Sequence, residues 1–376
     1  MKIHEITDFL EEIAPLHYQE SYDNSGLLVG DFNSEIKGAL ISLDCTESVI
    51  DEAISLGTKL VISHHPIIFS PLKKINGKNY VERVILKAIK NDIAIYAIHT
   101  NLDNIYDGVN SKIAEKLGLI NCKILLPKSK QIKQLVVYCP TTHALHLKEA
   151  LLENGAGSFR TYDNCSFSVK GKGTFKPKRG SSPFLGNIGD VEQVDEERLE
   201  FFFNNEDEKL LLDVMRQNHP YEQVAFQVYS LDNISSDIGS GMIGELQNEI
   251  ESKKYLDLLK TKMYTKCIRH TKIVNKKIKK IAICGGSGSF LLEEAKRQNA
   301  DLFVSSDFKY HEFFDAEDKI IIADIGHFES EQFTKDLIYD LLSKKFTKFA
   351  VQLSKVNTNP INYLEHGKEK SYNSLW

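Results

Sequence analysis

The stretch that decides the fold class is residues 59–66, Lys-Leu-Val-Ile-Ser-His-His-Pro. Its apolar centre predicts a buried strand over 59–63, and Pro66 predicts that the chain turns directly after the two histidines. The same pattern recurs at residues 93–103, where Ile-Ala-Ile-Tyr-Ala-Ile leads into His-Thr-Asn-Leu-Asp. Buried strands that end in polar residues are typical of open α/β sheets, which bind ligands at the carboxyl ends of their strands.

Helical patterns separate the apolar runs, as a strand-helix-strand architecture requires. Thr46 is a favourable N-cap residue and Gly57 a favourable C-terminal residue for one of these helices. In the outer parts of the chain we predict strands at 38–44, 59–63, 93–98, 279–284, 302–307 and 320–324, and helices at 6–14, 46–57, 81–91, 290–298 and 327–344. The two sets of strands predict an α/β fold in which two similar αβ halves form one domain.

The middle of the chain has a different pattern, which begins near residue 131. Residues 171–189 are rich in Gly, Lys, Pro and Ser. Around that segment we predict strands at 135–138, 199–203 and 224–229, and helices at 143–154 and 208–217. This β-α-β and β-α-β order is typical of ferredoxin-like units. Because 376 residues exceed one ordinary domain, we predict a ferredoxin-like α+β insert at residues 131–235. It interrupts a discontinuous domain of residues 1–130 and 236–376.

Composition excludes several classes of protein. With 47 Lys and Arg against 52 Asp and Glu, the net charge is −5. This charge argues against a general electrostatic attraction to nucleic acid or acidic membranes, but it does not exclude a local basic patch. The six cysteines form no CxxC motif, so a reducing compartment fits better than a disulfide framework. No window approaches the roughly 18 apolar residues of a membrane span. We therefore expect a soluble, cytoplasmic protein.

Two pairs of residues are candidate metal ligands. His64 and His65 follow a predicted strand, where the turning backbone lets both side chains reach one site. His327 and Glu331 are four residues apart at the start of a predicted helix, so they share one face. Each pair has a plain alternative, because a His-His dipeptide is often incidental and a His–Glu pair is often a surface pair. Asp103 is either a further oxygen ligand or part of a turn.

The conjunction of these residues favours a metal site. All five are expected at the same edge of one sheet, and five ligands exceed what one open tetrahedral zinc site uses. A bridging carboxylate would let them hold two cations roughly 3.5–4 Å apart, an arrangement typical of hydrolases. His99 and His311 are candidates to orient ligands or transfer protons, or else are structural histidines. Four residues at expected strand ends either line the pocket or are structural: Asp44, Asp307, Lys309 and Tyr310. The turn at 285–289 matches no phosphate-binding motif.

Several motifs together resemble the Nif-three-like family, whose bacterial members are labelled GTP cyclohydrolase 1 type 2 homologs. The motifs lie at residues 21–27 (Ser-Tyr-Asp-Asn-Ser-Gly-Leu), 63–66 (Ser-His-His-Pro), 99–103, 306–311 (Ser-Asp-Phe-Lys-Tyr-His) and 326–331 (Gly-His-Phe-Glu-Ser-Glu). The insert resembles the CutA/PII-like domain of the longer bacterial members, through residues 171–177 (Gly-Lys-Gly-Thr-Phe-Lys-Pro) and 219–222 (His-Pro-Tyr-Glu).

The resemblance implies a centre of two divalent metal ions per subunit. Its ligands would be the five residues already selected: His64, His65, Asp103, His327 and Glu331. It also implies a toroidal homohexamer whose metal centres face an internal cavity. Zinc is the favoured metal. Iron and manganese are alternatives, because a mixed set of His and carboxylate ligands suits all three metals.

Two functions follow as hypotheses. In the first, the protein is a metal-dependent hydrolase, resembling a GTP cyclohydrolase, that acts on a nucleotide or another phosphorylated small molecule. His99 or His311 would then be the proton-transferring residue. In the second, it is a metal-binding or regulatory assembly without turnover, in which the insert senses a ligand. No guanine-reading pocket is recognisable in the sequence, so the substrate itself stays unassigned.

Overall fold

The computed structural model describes residues 1–129, 131–158 and 162–364, and gives the backbone alone at 234–236. Lys130 and residues 365–376, which end two of the predicted domain segments, lie outside the described residues. The chain divides into two compact units, one formed by Met1–Pro127 with Ser236–Trp376 and the other by Lys128–Ser235. In the part of the chain that is described, no helix is both long enough and apolar enough to cross a membrane.

The helices and strands are numbered in chain order. The elements up to residue 129 are α1 Ile3–Ile13, β1 Gly26–Val29, β2 Gly38–Ser42, α2 Glu47–Leu56, β3 Leu60–Ser63, α3 Tyr80–Lys90, β4 Ala94–Ala97, α4 Thr100–Asp103, α5 Val109–Leu117 and β5 Ile120–Ser129. The next elements are β6 Ile132–Pro140, α6 Ala144–Glu153, β7 Ser166–Phe175, β8 Glu192–Asn204, α7 Glu208–Asn218 and β9 Phe226–Ser230. The remaining elements are β10 Ile234–Glu251, α8 Ser252–Lys262, β11 Arg269–His270, β12 Lys277–Ser287, α9 Leu292–Arg297, β13 Leu302–Ser306, β14 Ile321–Asp324, α10 His327–Glu331, α11 Thr334–Lys345 and β15 Ala350–Leu353.

The larger unit contains two sheets of similar construction. One has the strand order β1-β4-β3-β2-β15 and the other β11-β14-β13-β12-β10-β5. In the first, β2, β3 and β4 are parallel and β1 pairs antiparallel with β4. In the second, β12, β13 and β14 are parallel and β11 pairs antiparallel with β14. The predicted α/β fold class is confirmed, and the two sheets repeat one arrangement of parallel strands.

Burial explains why the parallel strands form where the apolar runs lie. Every residue of β2, β3, β4 and β14 is buried, as expected for parallel strands covered on both faces. Residues from both sheets belong to one hydrophobic cluster, which includes Ile41, Ile62, Ile281 and Val304. The two sheets therefore share one core, and this core fixes the carboxyl ends of their strands relative to each other.

Local sequence signals predicted the helix α2 correctly, but the bounds of two other predicted elements differ from those in the structure. The Thr46 hydroxyl accepts a hydrogen bond from the Val49 amide, and Gly57 ends α2 in a left-handed conformation. The turn predicted at 285–289 is partly strand, because β12 continues to Ser287, which pairs with Ser306. The single helix predicted over 327–344 is two helices, α10 and α11.

The smaller unit has the element order β-α-β-β-α-β, from β6 to β9. Its four strands form an antiparallel sheet in the order β7-β8-β6-β9. Its hydrophobic core combines strand residues such as Leu135 and Phe201 with helix residues such as Leu147 and Leu211. This is the order of elements found in ferredoxin-like units.

Candidate metal centre

The structure brings together the five residues selected from the sequence. His64 and His65 directly follow β3, Asp103 ends α4 after β4, and α10, which follows β14, begins at His327 and ends at Glu331. The expectation that all five lie at the edge of one sheet is wrong, because β3 and β4 belong to the first sheet and β14 to the second. Their terminal side chains converge because the two sheets share one core. His64, Asp103 and Glu331 form one group of close ligand atoms, and His65, His327 and Glu331 form another, with all atoms of a group within 4.8 Å of one another.

Glu331 lies between the two groups, and each of its oxygens faces a different one. Its Oε2 lies 3.0 Å from His65 Nε2 and 3.1 Å from His327 Nε2. Its Oε1 lies 3.9 Å from His64 Nε2, which is itself 3.6 Å from Asp103 Oδ1. This is the arrangement that a carboxylate bridging two cations requires.

Hydrogen bonds orient the three histidines toward the centre. Because carbonyl and carboxylate oxygens only accept hydrogen bonds, each Nδ1 donates, and each Nε2 faces the centre, where it can bind a cation once it carries no proton. The Nδ1 contacts are His64 to the Ile98 carbonyl at 2.8 Å, His65 to Asp44 at 2.7 Å and His327 to Asp307 at 2.6 Å. Such outer contacts typically fix the tautomer of metal-binding histidines. The Nε2 atoms of His65 and His327 are only 3.3 Å apart, and both face Glu331 Oε2.

Two buried atoms of the cluster lack partners. His64 Nε2 and Asp103 Oδ1 are fully buried, and neither has a hydrogen-bond partner among the described residues. A buried polar atom without a partner costs about 1–3 kcal/mol. The donor set of imidazole nitrogens and carboxylate oxygens is one that binds divalent transition metals. These atoms fit a cation that is coordinated by His64, Asp103 and Glu331.

The charges of the cluster perturb the pKa values of its members. Burial lowers the pKa of His65, but the Asp44 and Glu331 carboxylates outweigh burial and raise this pKa to about 10. For His327, Glu331 and Asp307 likewise overcome burial and raise the pKa to about 11. Burial and the nearby Glu331 raise the pKa of Asp103 to about 7. Burial opposes ionisation of Glu331, yet the histidines hold its pKa well below the usual range.

We expect the affinity of the His65–His327 group for a divalent cation to rise with pH. In the metal-free protein, the raised pKa values of His65 and His327 favour the protonated form of these imidazoles. A cation must displace both protons, since only a neutral imidazole donates a lone pair to a metal. The apparent association constant should therefore increase between pH 6 and 8, as measured with chelator-buffered Zn²⁺.

The variant Asp44→Asn provides the control for this pH dependence. It removes one of the carboxylates that raise the pKa of His65, so the dependence should become shallower. An affinity that does not change with pH in the unsubstituted protein would contradict the assignment of these two histidines as ligands.

The two further histidine candidates occupy different environments. His99 joins the cluster: its ring lies 5.2 Å from that of His64 and 5.3 Å from that of His65. Its Nδ1 donates to Asp23 Oδ1 at 2.7 Å. Burial disfavours the charge on Asp23, but hydrogen bonds from His99 and Thr100 lower its pKa. His311 instead lies on an exposed 3-10 turn, where its ring contacts Tyr310 and Phe314.

A cavity of about 460 Å³ opens onto the cluster. His65, Asp103, His327 and Glu331 line one side. The aromatic side chains in the lining are those of Tyr22, Phe69, His99, Phe290, His327, His65 and Phe328. Among the described residues, no lysine or arginine lines this cavity. The chain itself therefore offers apolar and aromatic contacts and metal-binding atoms here, but no lysine or arginine side chain among the described residues.

Some contacts in the site could not be predicted from the local sequence. Asp44 was a candidate to line the pocket, and the structure adds its hydrogen bond to His65. Asp23 is 76 residues from its partner His99, and residues 359–361 complete the cavity from the end of the described chain.

One usable signal in the sequence was missed. His99 and Asp103 repeat the four-residue spacing of His327 and Glu331, after the equivalent strands β4 and β14.

The fold and this cluster define a mixed α/β protein with a candidate metal-binding site of histidines and carboxylates. The chain belongs to the Duf34/NIF3 (NGG1p interacting factor 3) family, whose model matches residues 1–360. The predicted family resemblance is thus confirmed. A curated relative from Bacillus subtilis (strain 168), named GTP cyclohydrolase 1 type 2 homolog, is 37% identical over 366 residues, which cover 96% of this chain and 98% of the relative.

Solved structures of related proteins share the fold over nearly the whole chain. A Bacillus cereus protein related to NIF3 is 36% identical, with a TM-score of 0.75, and the match covers 97% of this chain and 99% of that one. A Staphylococcus aureus protein is 32% identical, with a TM-score of 0.80 and the same coverage. The α/β architecture described above is therefore shared with experimentally determined structures.

Proposed function

We propose that the discontinuous αβ domain binds two divalent cations and uses them for hydrolysis. His64 and Asp103 would hold one cation, His65 and His327 the other, and Glu331 would bridge them. The observation that carries the proposal is the placement of the Glu331 oxygens, each facing a different set of ligand atoms. Zinc is the favoured metal, with iron and manganese as alternatives.

The chemistry of the proposed reaction divides between the cations and the chain. A pair of divalent cations supplies Lewis acidity and an activated water, and stabilises charge in a displacement. Asp44 and Asp307 hold the imidazoles of His65 and His327 in the tautomer that points Nε2 inward. His99 is the residue best placed to transfer a proton, because its bond to Asp23 leaves Nε2 free to accept one.

The proposed substrate is a nucleotide or another phosphorylated small molecule. The name of the Bacillus subtilis relative, GTP cyclohydrolase 1 type 2 homolog, supports a nucleotide. Aromatic side chains such as Tyr22 and Phe290 in the cavity lining suit a planar ring. Because no lysine or arginine among the described residues lines the cavity, we infer that substrate phosphate groups would take the cations themselves as partners.

A second candidate function is metal binding or regulation without turnover. The observation that favours it is a separate cavity within the smaller unit, which could receive a ligand of its own. In either case, we propose a cytoplasmic protein that forms a toroidal homohexamer, with residues 131–235 as a CutA/PII-like insert. Family membership supports this assembly, and light scattering of the purified protein would test it.

We expect turnover to follow metal occupancy and to require His99. With both cations loaded, the protein should hydrolyse at least one member of a panel of nucleotides and phosphoesters. His65→Ala and Asp103→Asn should reduce metal content and turnover together. His99→Ala should keep its metal yet lose about 10²–10⁴-fold in kcat, the range for removal of a proton-transferring group. Metal analysis and steady-state kinetics on the same samples measure both effects.

His311→Ala is the matched control, because this exposed histidine lies on a different part of the surface. It should keep both metal and turnover. If the fully loaded protein turns over no member of the panel, the hydrolase proposal fails and the regulatory alternative remains.

A further inference from the structure

Two sequence motifs that the metal centre does not use converge on one cavity in the smaller unit. They are residues 171–177 (Gly-Lys-Gly-Thr-Phe-Lys-Pro), at the end of β7, and 219–222 (His-Pro-Tyr-Glu), after α7. The cavity has a volume of about 640 Å³, which is within the usual range for small-molecule sites. Residues from both motifs line it, together with the loop that follows the first motif.

Three aromatic rings form one wall of this cavity. Tyr221 is the central ring, 5.9 Å from Phe175 and 6.4 Å from Phe184, and both neighbours are tilted against it. Phe184 is 47% exposed, although burial of such a large apolar ring is favourable. The wall therefore presents aromatic surface that a planar ligand would cover.

Tyr221 is held in place by hydrogen bonds to Glu196 and His219. Its hydroxyl donates to Glu196 Oε1 at 3.0 Å, and its amide donates to His219 Nδ1 at 3.0 Å. His219 Nε2 in turn donates to the Tyr138 carbonyl at 2.9 Å, so this buried imidazole is neutral. Gly173 leaves room for Glu196, because a Cβ at residue 173 would lie 2.0 Å from Glu196 Oε2. An alanine at residue 173 would therefore displace the Glu196 carboxylate that contacts the central ring.

The charged side chains of the lining leave positive charge without a partner. Lys176, Lys178 and Arg179 all line the cavity, and within the described residues none of the three forms an ion pair. The two lining carboxylates are already engaged, since Glu196 accepts from Tyr221 and Glu222 accepts from the Ser182 amide at 3.0 Å. Three cations against two carboxylates leave the lining with a net charge of +1, and an anion would be attracted to it.

We propose that this cavity is a second ligand site, which binds a small anion that carries an aromatic ring. The ring would stack on the wall of Phe175, Tyr221 and Phe184, while Lys176, Lys178 and Arg179 bind a phosphate or carboxylate group. The site lies wholly within the Lys128–Ser235 unit and needs no metal. A test of this second site is therefore independent of the proposed hydrolase activity.

The test is calorimetric titration of the full-length protein with phenyl phosphate, benzoate, inorganic phosphate and phenol. Phenyl phosphate and benzoate share the proposed chemistry and differ in the anionic group, so the tighter of the two identifies that group. Each should bind at least about tenfold more tightly than phenol or inorganic phosphate, which offer only one of the two features. Arg179→Ala and Phe184→Ala should each weaken the tighter ligand by about tenfold or more.

Lys172→Ala is the matched control, because this lysine lies on β7, just before the cavity-lining residues, is ion-paired with Asp195 at 2.9 Å and does not line the cavity. It should leave binding unchanged, and metal content should be unchanged in all three variants. Absence of binding at millimolar concentration would overturn the proposal. So would equal binding of inorganic phosphate and phenyl phosphate with no effect of Phe184→Ala.

Discussion

Replacing Glu331 with glutamine should remove both cations from the protein. One oxygen of Glu331 faces His65 and His327, and the other faces His64, so a single substitution affects both groups of ligands. The amide keeps the shape of the side chain but loses its charge, and its nitrogen cannot coordinate a metal. We expect affinity to fall by more than the roughly 10–100-fold typical of residues outside the coordination shell. Metal per chain, measured by elemental analysis after dialysis, should fall from about two to near zero.

Glu329→Gln is the matched control for this substitution. Glu329 is on the same short helix and equally buried, but its Oε1 accepts a hydrogen bond from Asn359 at 3.2 Å and does not face the histidines. This variant should retain both cations. If Glu331→Gln kept two cations per chain, the bridging role would be wrong. Loss of only one would assign Glu331 to one group alone.

Loss of cation binding should also be measurable through thermal stability, without an assay of activity. Glu331 is 2% exposed and His64 is 0% exposed, so the protein holds charge and unpaired lone pairs in its interior. Such groups are stable when a cation pairs with them and costly otherwise. Added Zn²⁺ should therefore raise the thermal midpoint of the unsubstituted protein but not that of Glu331→Gln, because only binding to the folded state stabilises it.

The parts of the fold that could be predicted are those with a strong local signal. The apolar runs that become β3, β4 and β14 are short, continuous and followed by polar residues, so both the strand and the position of its carboxyl end are encoded locally. The strands β10 and β15 were not predicted. Residues 234–251 lack a continuous apolar run, and β10 forms because it pairs with β12. The four residues of β15 pair with β2, which is more than 300 residues away.

The candidate site divides in the same way. Spacing and strand ends were enough to select five residues that the structure brings together. The division into two groups was not accessible, because it depends on which oxygen of Glu331 faces which histidine. The orienting contact of Asp23 with His99 was also inaccessible, since nothing local links the loop before β1 to the end of β4. Contacts of this kind arise only once the shared core has placed separate segments side by side.

The His-x-x-x-acid spacing occurs in both halves, and its two copies contact different partners. The first copy supplies Asp103 to the cluster and leaves His99 to contact Asp23. The second supplies both His327 and Glu331. Equivalent positions at the ends of β4 and β14 thus provide a candidate proton-transferring residue in one half and a candidate metal ligand in the other.

Replacing Gly286 with alanine should disrupt the candidate metal centre, because the added methyl group would displace the Glu331 carboxylate. Gly286 has a φ of +60°, and a Cβ there would lie 2.3 Å from Glu331 Oε1 and 3.2 Å from His327 Cε1. The Glu331 side chain is buried, so it has little room to yield. Displacement of the carboxylate would separate the oxygen from the ligand atoms of His64 and Asp103. We expect metal content to fall by at least half, as measured by elemental analysis.

Gly57→Ala separates the effect of the clash from the effect of backbone strain. Gly57 has a nearly identical φ of +66°, and a Cβ there would meet nothing within 4 Å. Both substitutions pay the same left-handed cost of about 1 kcal/mol, so both should lower the thermal midpoint slightly. Only Gly286→Ala should lose metal, because only its methyl group meets the bridging carboxylate. Equal metal content in the two variants would show that the Glu331 oxygen is free to move without loss of the cations, and the proposed bridge would then be wrong.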